Sequence, residues 1–237
     1  MNTFGDLKEQ AWESNRELHR LGLVFQTFGN VSAFDRAQGV FAIKPSGVLY
    51  EKLLVDDMVV LDLQLNIVEG KLKPSSDTQT HAVLYRSFPE IGGIAHTHSP
   101  YAVAWAQAVK PIPILGTTHA DFLAMDIPCT EVMSDKMIKG DYEEETGNLI
   151  VRRFARLSYK EVEMVLVANH GPFTWGATAA KAVENSLMLE EIAKMALLTL
   201  QINPKTPRLR GALVKKHYQR KHGDQAYYGQ KETQEKN

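Results

Sequence analysis

Three histidines on two stretches carry the most chemistry: His96 and His98 in Ile94-Ala95-His96-Thr97-His98-Ser99-Pro100, and His170 in Leu166-Val167-Ala168-Asn169-His170-Gly171. Each group follows an apolar run that reads as a buried strand. Residues i and i+2 of a strand share a face, so His96 and His98 are expected to grip one ion together. A third imidazole at the end of another strand would complete a His₃ set with an open coordination position, the pattern of a catalytic divalent site. Asp77 is a candidate fourth, oxygen ligand, and equally a helix N-cap. The other histidines (His19, His81, His119, His217 and His222) lack such company.

A second chemistry is anion binding. Phe28-Gly29-Asn30-Val31-Ser32 and Lys44-Pro45-Ser46-Gly47 each place glycine beside a small polar residue, and Ser75-Ser76-Asp77 puts two hydroxyls at a helix start. Backbone N–H groups at such turns and helix starts bind anions, and Lys44 adds the compensating charge. Each is individually an ordinary turn; together they fit a phosphate cradle. No Gly-x-x-x-x-Gly-Lys-Ser/Thr loop and no Gly-x-Gly-x-x-Gly after a strand occurs, which argues against nucleotide binding. Asp121 follows a broken loop where an acid/base group would be useful, although alone it reads as a solvated carboxylate. Spacing offers no Ser/His/Asp triad, and Cys129 has no base near it in sequence.

The elements that must position these groups follow from periodicity. Helices are expected over Asp6 to Leu21, Thr78 to Ser87, Tyr101 to Ala108, Glu143 to Arg156 and Thr178 to Gln201. On the last, Ala180, Val183 and Leu187 make one stripe, and Met188, Ile192 and Met195 an adjacent one. Strand-like runs are Val40 to Ile43, Met58 to Leu63, Ile67 to Glu69, the run into His96 and His98, and Met164 to Ala168. Strands and helices mix without a clean βαβ alternation. The expected fold is a single α/β domain with a central, largely antiparallel sheet flanked by helices.

Composition bounds the rest. A chain of 237 residues with 44% hydrophobic content buries one substantial core. Lys+Arg 27 against Asp+Glu 28 gives a net charge of −1, so there is no global field for nucleic acid or an acidic membrane. One cysteine suits a reducing compartment. The opening residues lack a basic and apolar leader, and no apolar run reaches the roughly 18–20 residues of a membrane span. A cytoplasmic location is expected.

Six blocks in order resemble the L-ribulose-5-phosphate 4-epimerases of the class II aldolase/epimerase superfamily. They are Gly29-Asn30-Val31-Ser32, Lys44-Pro45-Ser46-Gly47, Lys73-Pro74-Ser75-Ser76-Asp77-Thr78, His96-Thr97-His98-Ser99, Asn169-His170-Gly171 and Ala226-Tyr227-Tyr228-Gly229-Gln230. The resemblance spans 1–230 as one catalytic domain and leaves 231–237 as a polar tail. It implies a metal, usually zinc, one per subunit, on His96, His98 and His170, with Asp77 on or beside it. Mn²⁺ or Co²⁺ would be acceptable substitutes. It implies phosphate or substrate contacts from Asn30, Lys44, Ser46, Gly47, Ser75 and Ser76, and an acid/base pair in Asp121 and Tyr228. His217, with Tyr228, would come from a neighbouring subunit of a homotetramer whose active sites lie between subunits.

The implied reaction inverts carbon 4 of a 2-ketose, which carries no acidic proton. Cleavage between carbons 3 and 4 leaves an enediolate that a Lewis-acidic metal stabilises, and re-addition to the aldehyde's other face completes the inversion. Two acid/base groups on opposite faces are needed. The rival within the superfamily is an aldolase acting on fuculose or rhamnulose 1-phosphate, which places Glu where this chain has Asp77. A catalytically silent scaffold of the same fold would be expected to lose the metal histidines. Epimerases of the resembled type serve arabinose, ascorbate or other pentose pathways.

Overall fold

The computed structural model describes residues 4–223 and residue 226. Its elements run α1 (Gly5–Arg20), β1 (Asn30–Asp35), β2 (Val40–Ile43), β3 (Val59–Asp62), β4 (Ile67–Glu69), α2 (Thr78–Ser87), β5 (Gly93–His96) and α3 (Pro100–Gln107). They continue with the short α4 (Thr117–Ala120) and α5 (Asp135–Ile138), then α6 (Tyr142–Arg153), β6 (Met164–Leu166), β7 (Pro172–Gly176), α7 (Ala179–Ile202) and α8 (Gly211–His222). The seven strands form one sheet in the order β4-β3-β2-β1-β5-β7-β6, every pair antiparallel.

Alternation along the strands divides the core between the two faces of the sheet. Phe41, Ile43, Val59 and Leu61 join Ile94, Phe173 and Trp175 in a cluster with α2 and α3. Val31, Ala33, Val40, Ala42 and Val60 turn the other way, onto Leu7, Ala11 and Leu18 of α1 and the first turns of α7. This is period-2 patterning with both faces covered by helices.

Helix α7 bears out its expected stripes only in part: Val183 and Ile192 are buried, and Leu187 and Met188 are half-buried. Ala180 and Met195 are exposed, while Ala182, Ser186, Leu189, Ala193 and Ala196 face inward. Small residues win because the helix crosses the sheet at close range. A Cβ on Gly93 would lie 2.3 Å from the backbone of Ala179, and one on Gly176 would lie 2.6 Å from Lys181. Gly93→Ala is therefore expected to cost at least about 3 kcal/mol, since backbone cannot yield as a side chain can. Urea denaturation checks this; a midpoint equal to wild type would refute the tight crossing.

Two polar devices fix the segments around the histidines. Buried Asn15 on α1 accepts from Val31 N–H at 2.9 Å and donates to Val31 C=O at 2.9 Å, anchoring β1 just past Asn30. Glu190 of α7 reaches the start of α3, where its two oxygens accept from the Tyr101 and Ala102 N–H groups at 2.9 and 2.8 Å. A carboxylate there satisfies orphan donors and complements the helix dipole, so the segment after His98 is held from outside. Helix α8, absent from the sequence expectations, forms from the basic segment after Gly211. None of its residues is buried, so its pattern carries no core stripe.

Candidate metal and anion site

His96 is the last residue of β5, and His98 lies two residues beyond the strand, in the segment leading to α3. His170 sits in the turn of the β6–β7 hairpin rather than on a strand. That turn is closed by Val167 N–H donating to Gly171 C=O at 2.9 Å, with Asn169 in the left-handed region at φ +61°. Because β5 and β7 are sheet neighbours, with His96 opposite Phe173, the hairpin delivers His170 directly onto the end of β5. A Cβ at Gly171 would meet the Thr97 carbonyl at 2.9 Å, so the close approach requires glycine.

The three imidazoles converge: one ring nitrogen from each lies within 4.8 Å of the others. His96 donates from Nδ1 to the Pro172 carbonyl at 2.9 Å and stacks on Phe173 with centroids 4.2 Å apart. Its Nε2 therefore keeps a free lone pair, 3.1 Å from Nε2 of His98. Two nitrogens around a tetrahedral ion with bonds of about 2.0–2.1 Å stand roughly 3.3 Å apart. Burial depresses His96 and His170 to about 3, with a further lowering from neighbouring imidazoles, and lowers His98 against the opposing pull of Asp77. The rings are neutral at pH 7, as ligands must be. The donor set fits a zinc-like divalent ion.

Asp77 occupies the N-cap position of α2 yet makes no side-chain cap. Its Oδ2 accepts from Asn30 Nδ2 at 2.7 Å, and the same amide donates to Ser75 Oγ at 3.0 Å. The carboxylate is thus held at the wall of a cavity of about 300 Å³. That cavity is lined by Asn30, Lys44, Ser46, Gly47, Ser75, Ser76, Asp77, His96, His98 and His170 together. Asn30 Oδ1 is buried without a protein partner, an acceptor suited to a substrate hydroxyl.

The cradle is knit by backbone. Ser46 N–H donates to Lys73 C=O at 2.9 Å and Ser75 N–H to Lys44 C=O at 3.1 Å, tying the two loops edge to edge. Gly29 is required at φ +78°, where a Cβ would lie 2.8 Å from the His96 carbonyl. Lys44 is 1% exposed; its Nζ stands 4.7 Å over the Tyr50 ring and donates to Pro45 C=O at 3.4 Å. Burial lowers it to about 8, so near neutral pH it presents a poorly solvated cation to the cavity.

Asp121 and His217 do not line this cavity. They meet each other in a separate cluster, His217 Nδ1 3.0 Å from Asp121 Oδ1, where Arg220 also clamps both carboxylate oxygens at 2.9 and 2.6 Å. Burial works against ionisation of Asp121, but the Arg220 and His217 hydrogen bonds outweigh it and hold the carboxyl below its usual range. Tyr228 lies outside the described residues. Sequence reasoning missed two lining residues, Thr27 and Tyr142, and left Glu143, also lining, without a role. The helix expected to begin at Glu143 begins one residue earlier, and the Gly140-Asp141 start signal was the clue. A larger concavity of about 680 Å³, beside Arg153, Arg208 and the start of α8, lacks a comparable ligand set among the described residues.

Comparisons agree with this geometry. The family model for the class II aldolase and adducin N-terminal domain matches residues 9–197. A solved L-fuculose 1-phosphate aldolase is 25% identical, with 91% of this chain and 95% of that one covered at a TM-score of 0.76. The L-fuculose 1-phosphate aldolase from Glaciozyma antarctica PI12 is 20% identical, covering 94% and 84% at 0.75. That from Thermus thermophilus is 22% identical, covering 86% and 98% at 0.64; these last two speak to the fold alone.

Proposed function

Since this chain belongs to the class II aldolase and adducin N-terminal domain family, we propose that it is a metal-dependent L-ribulose-5-phosphate 4-epimerase forming D-xylulose 5-phosphate. The carrying observation is one cavity that joins three convergent imidazoles to a cradle containing buried Lys44. An anionic sugar and a divalent ion are the ligands that such a pairing suits. His96, His98 and His170 would hold the ion, with Asp77 beside it. When bound, it supplies Lewis acidity at the ketose oxygens.

The chain's own groups then divide the work. Lys44, Ser46, Ser75 and Ser76 hold the phosphate and Asn30 Oδ1 accepts from a substrate hydroxyl, so the glycolaldehyde phosphate fragment stays bound after the bond between carbons 3 and 4 breaks. One acid/base group removes the C4 hydroxyl proton as that bond's electron pair passes to the three-carbon fragment. The aldehyde turns over, the bond re-forms on its other face, and the second group protonates the new oxygen. Asp121 and Tyr228 are assigned these roles from the resemblance. Because Asp121 and His217 stand apart from the cavity of their own chain, the assignment needs a neighbouring subunit, and the resemblance makes that assembly a homotetramer. Ile202 and Leu198, 86% and 42% exposed on α7, supply apolar surface for such assembly. A cytoplasmic sugar-phosphate enzyme is the resulting picture.

A second reading, a ketose 1-phosphate aldolase, draws on the 25% identical L-fuculose 1-phosphate aldolase. Asp77 favours the epimerase: the aldolases resembled here use a longer Glu at this place, whereas Asp77 is held back by Asn30. The test is incubation of the metal-loaded protein with L-ribulose 5-phosphate, assaying D-xylulose 5-phosphate and free glycolaldehyde phosphate. Xylulose 5-phosphate without accumulating aldehyde is expected. Neither product, with cleavage of a ketose 1-phosphate to dihydroxyacetone phosphate, would transfer the assignment to the aldolase.

A further inference from the structure

Tyr142 is the first residue of α6, and its hydroxyl stands 3.4 Å from Nδ1 of His170 at the wall of the cavity. Its placement is fixed by the way α6 packs on α2, the helix that Asp77 begins. Thr80 Oγ1 donates to Glu143 C=O at 2.6 Å, and Gln79 Nε2 donates to Asp141 Oδ2 at 3.1 Å. A Cβ at Gly147 would lie 2.7 Å from Val83 Cβ, so the two helices meet at a distance that only glycine permits. Thr146 Oγ1 also donates to Tyr142 C=O at 2.8 Å, which steadies the first turn. The phenol is therefore carried to His170 on a rigid support.

We propose that Tyr142 is a positioning residue for His170, its hydroxyl accepting the Nδ1–H so that Nε2 is left bare for the metal. The inference rests on the metal reading of the three-histidine cluster and adds to it the group that selects one ligand's tautomer. His96 already has its selector in the Pro172 carbonyl. The His170 ring packs against His96, His98 and Phe173, and Tyr142 is the hydroxyl that meets its Nδ1. A neutral imidazole carries one proton, and the partner of one nitrogen decides which nitrogen is free. Once the hydroxyl accepts from His170, its own proton is free for the cavity.

Tyr142→Phe removes the acceptor while keeping the ring. Zinc affinity, measured by competition with a chromophoric chelator, is expected to fall roughly 10- to 100-fold, as outer partners of metal-bound histidines typically contribute. The thermal midpoint of the metal-free variant should match that of metal-free wild type, so the loss is not one of folding. Ring-nitrogen NMR of metal-free wild type should show His170 as the Nδ1–H tautomer, a readout independent of how the variant folds. Zinc affinity within about twofold of wild type, or an Nε2–H tautomer in wild type, would overturn the role of Tyr142. Wild type that binds no zinc would overturn this inference together with the metal reading, whereas a zinc-binding wild type with an unaffected variant overturns this inference alone.

Discussion

Replacing His98 with alanine is expected to abolish metal binding and catalysis together. His98 is the only one of the three imidazoles outside the strand and hairpin framework, two residues past β5, and its Nε2 lies 3.1 Å from that of His96. Alanine there leaves two imidazoles, too few for a closed grip on an ion that most often takes four ligands. Lewis-acid stabilisation is worth several kcal/mol, so the turnover rate should fall by at least about 10³-fold. Metal analysis of the purified variant, alongside chelation and zinc re-addition in wild type, provides the check. Chelated wild type should lose activity and regain it with zinc, while the variant stays inactive at any zinc level. Full activity after exhaustive chelation would end the case for a metal at this site.

Lys44→Met should produce two effects of opposite sign. The buried ammonium is held at about 8 by loss of solvation, so at neutral pH the fold carries a charge it does not favour. Methionine keeps the apolar stem against Tyr50 and removes that charge, which should raise stability by about 1–3 kcal/mol in urea titrations. The same change removes the cation expected to meet the phosphate, and KM should rise roughly 10²-fold. The pH dependence follows from the direction of the shift. The folded value lies below the unfolded one, so between about 8 and the ordinary lysine range the unfolded chain binds more protons. Wild-type stability should therefore rise with pH across that window. Lysine in the cavity is charged only below about 8, so wild-type KM should climb above that pH while the Met variant stays flat. A Met variant with unchanged KM would remove Lys44 from the cradle.

The sequence made the site's inventory legible better than its geometry. Ten expected cavity residues, from Asn30 to His170, do share one wall, because glycine-bounded turns and helix starts are local features with local signals. The three histidines converge as expected, but by a different route. The strand ends at His96, so the shared-face argument for His98 fails; the convergence comes from the antiparallel pairing of β5 with β7. Pairing partners are long-range facts that no spacing displays. Strand β1 was hidden for the opposite reason: its Asn30-Val31-Ser32 read as a turn, and only Asn15 and the neighbouring strands hold it extended. Helix α7 kept Val183 and Ile192 inside as expected but turned Met195 outward, since close crossing of a sheet rewards alanine and serine over methionine. Tyr142 escaped notice because a helix's first residue has no periodic partner to announce it.

The loops around Lys44 and Ser75 are tied to each other through main-chain atoms, Ser46 to Lys73 and Ser75 to Lys44. No side chain takes part in either bond, although Ser75 Oγ accepts from the Asn30 amide and so helps to place Asp77. A gene could exchange Ser46 or Ser76 for other small polar residues and keep the same mould. Substrate preference in such a scaffold is a thin veneer over a fixed backbone, open to retuning by a few substitutions. The glycine contacts are the opposite: Gly29 against the His96 carbonyl and Gly171 against that of Thr97 admit no replacement without moving the segments that carry His96 and His170. Backbone shape should therefore tolerate change at Ser46 and Ser76 and resist it at the glycines.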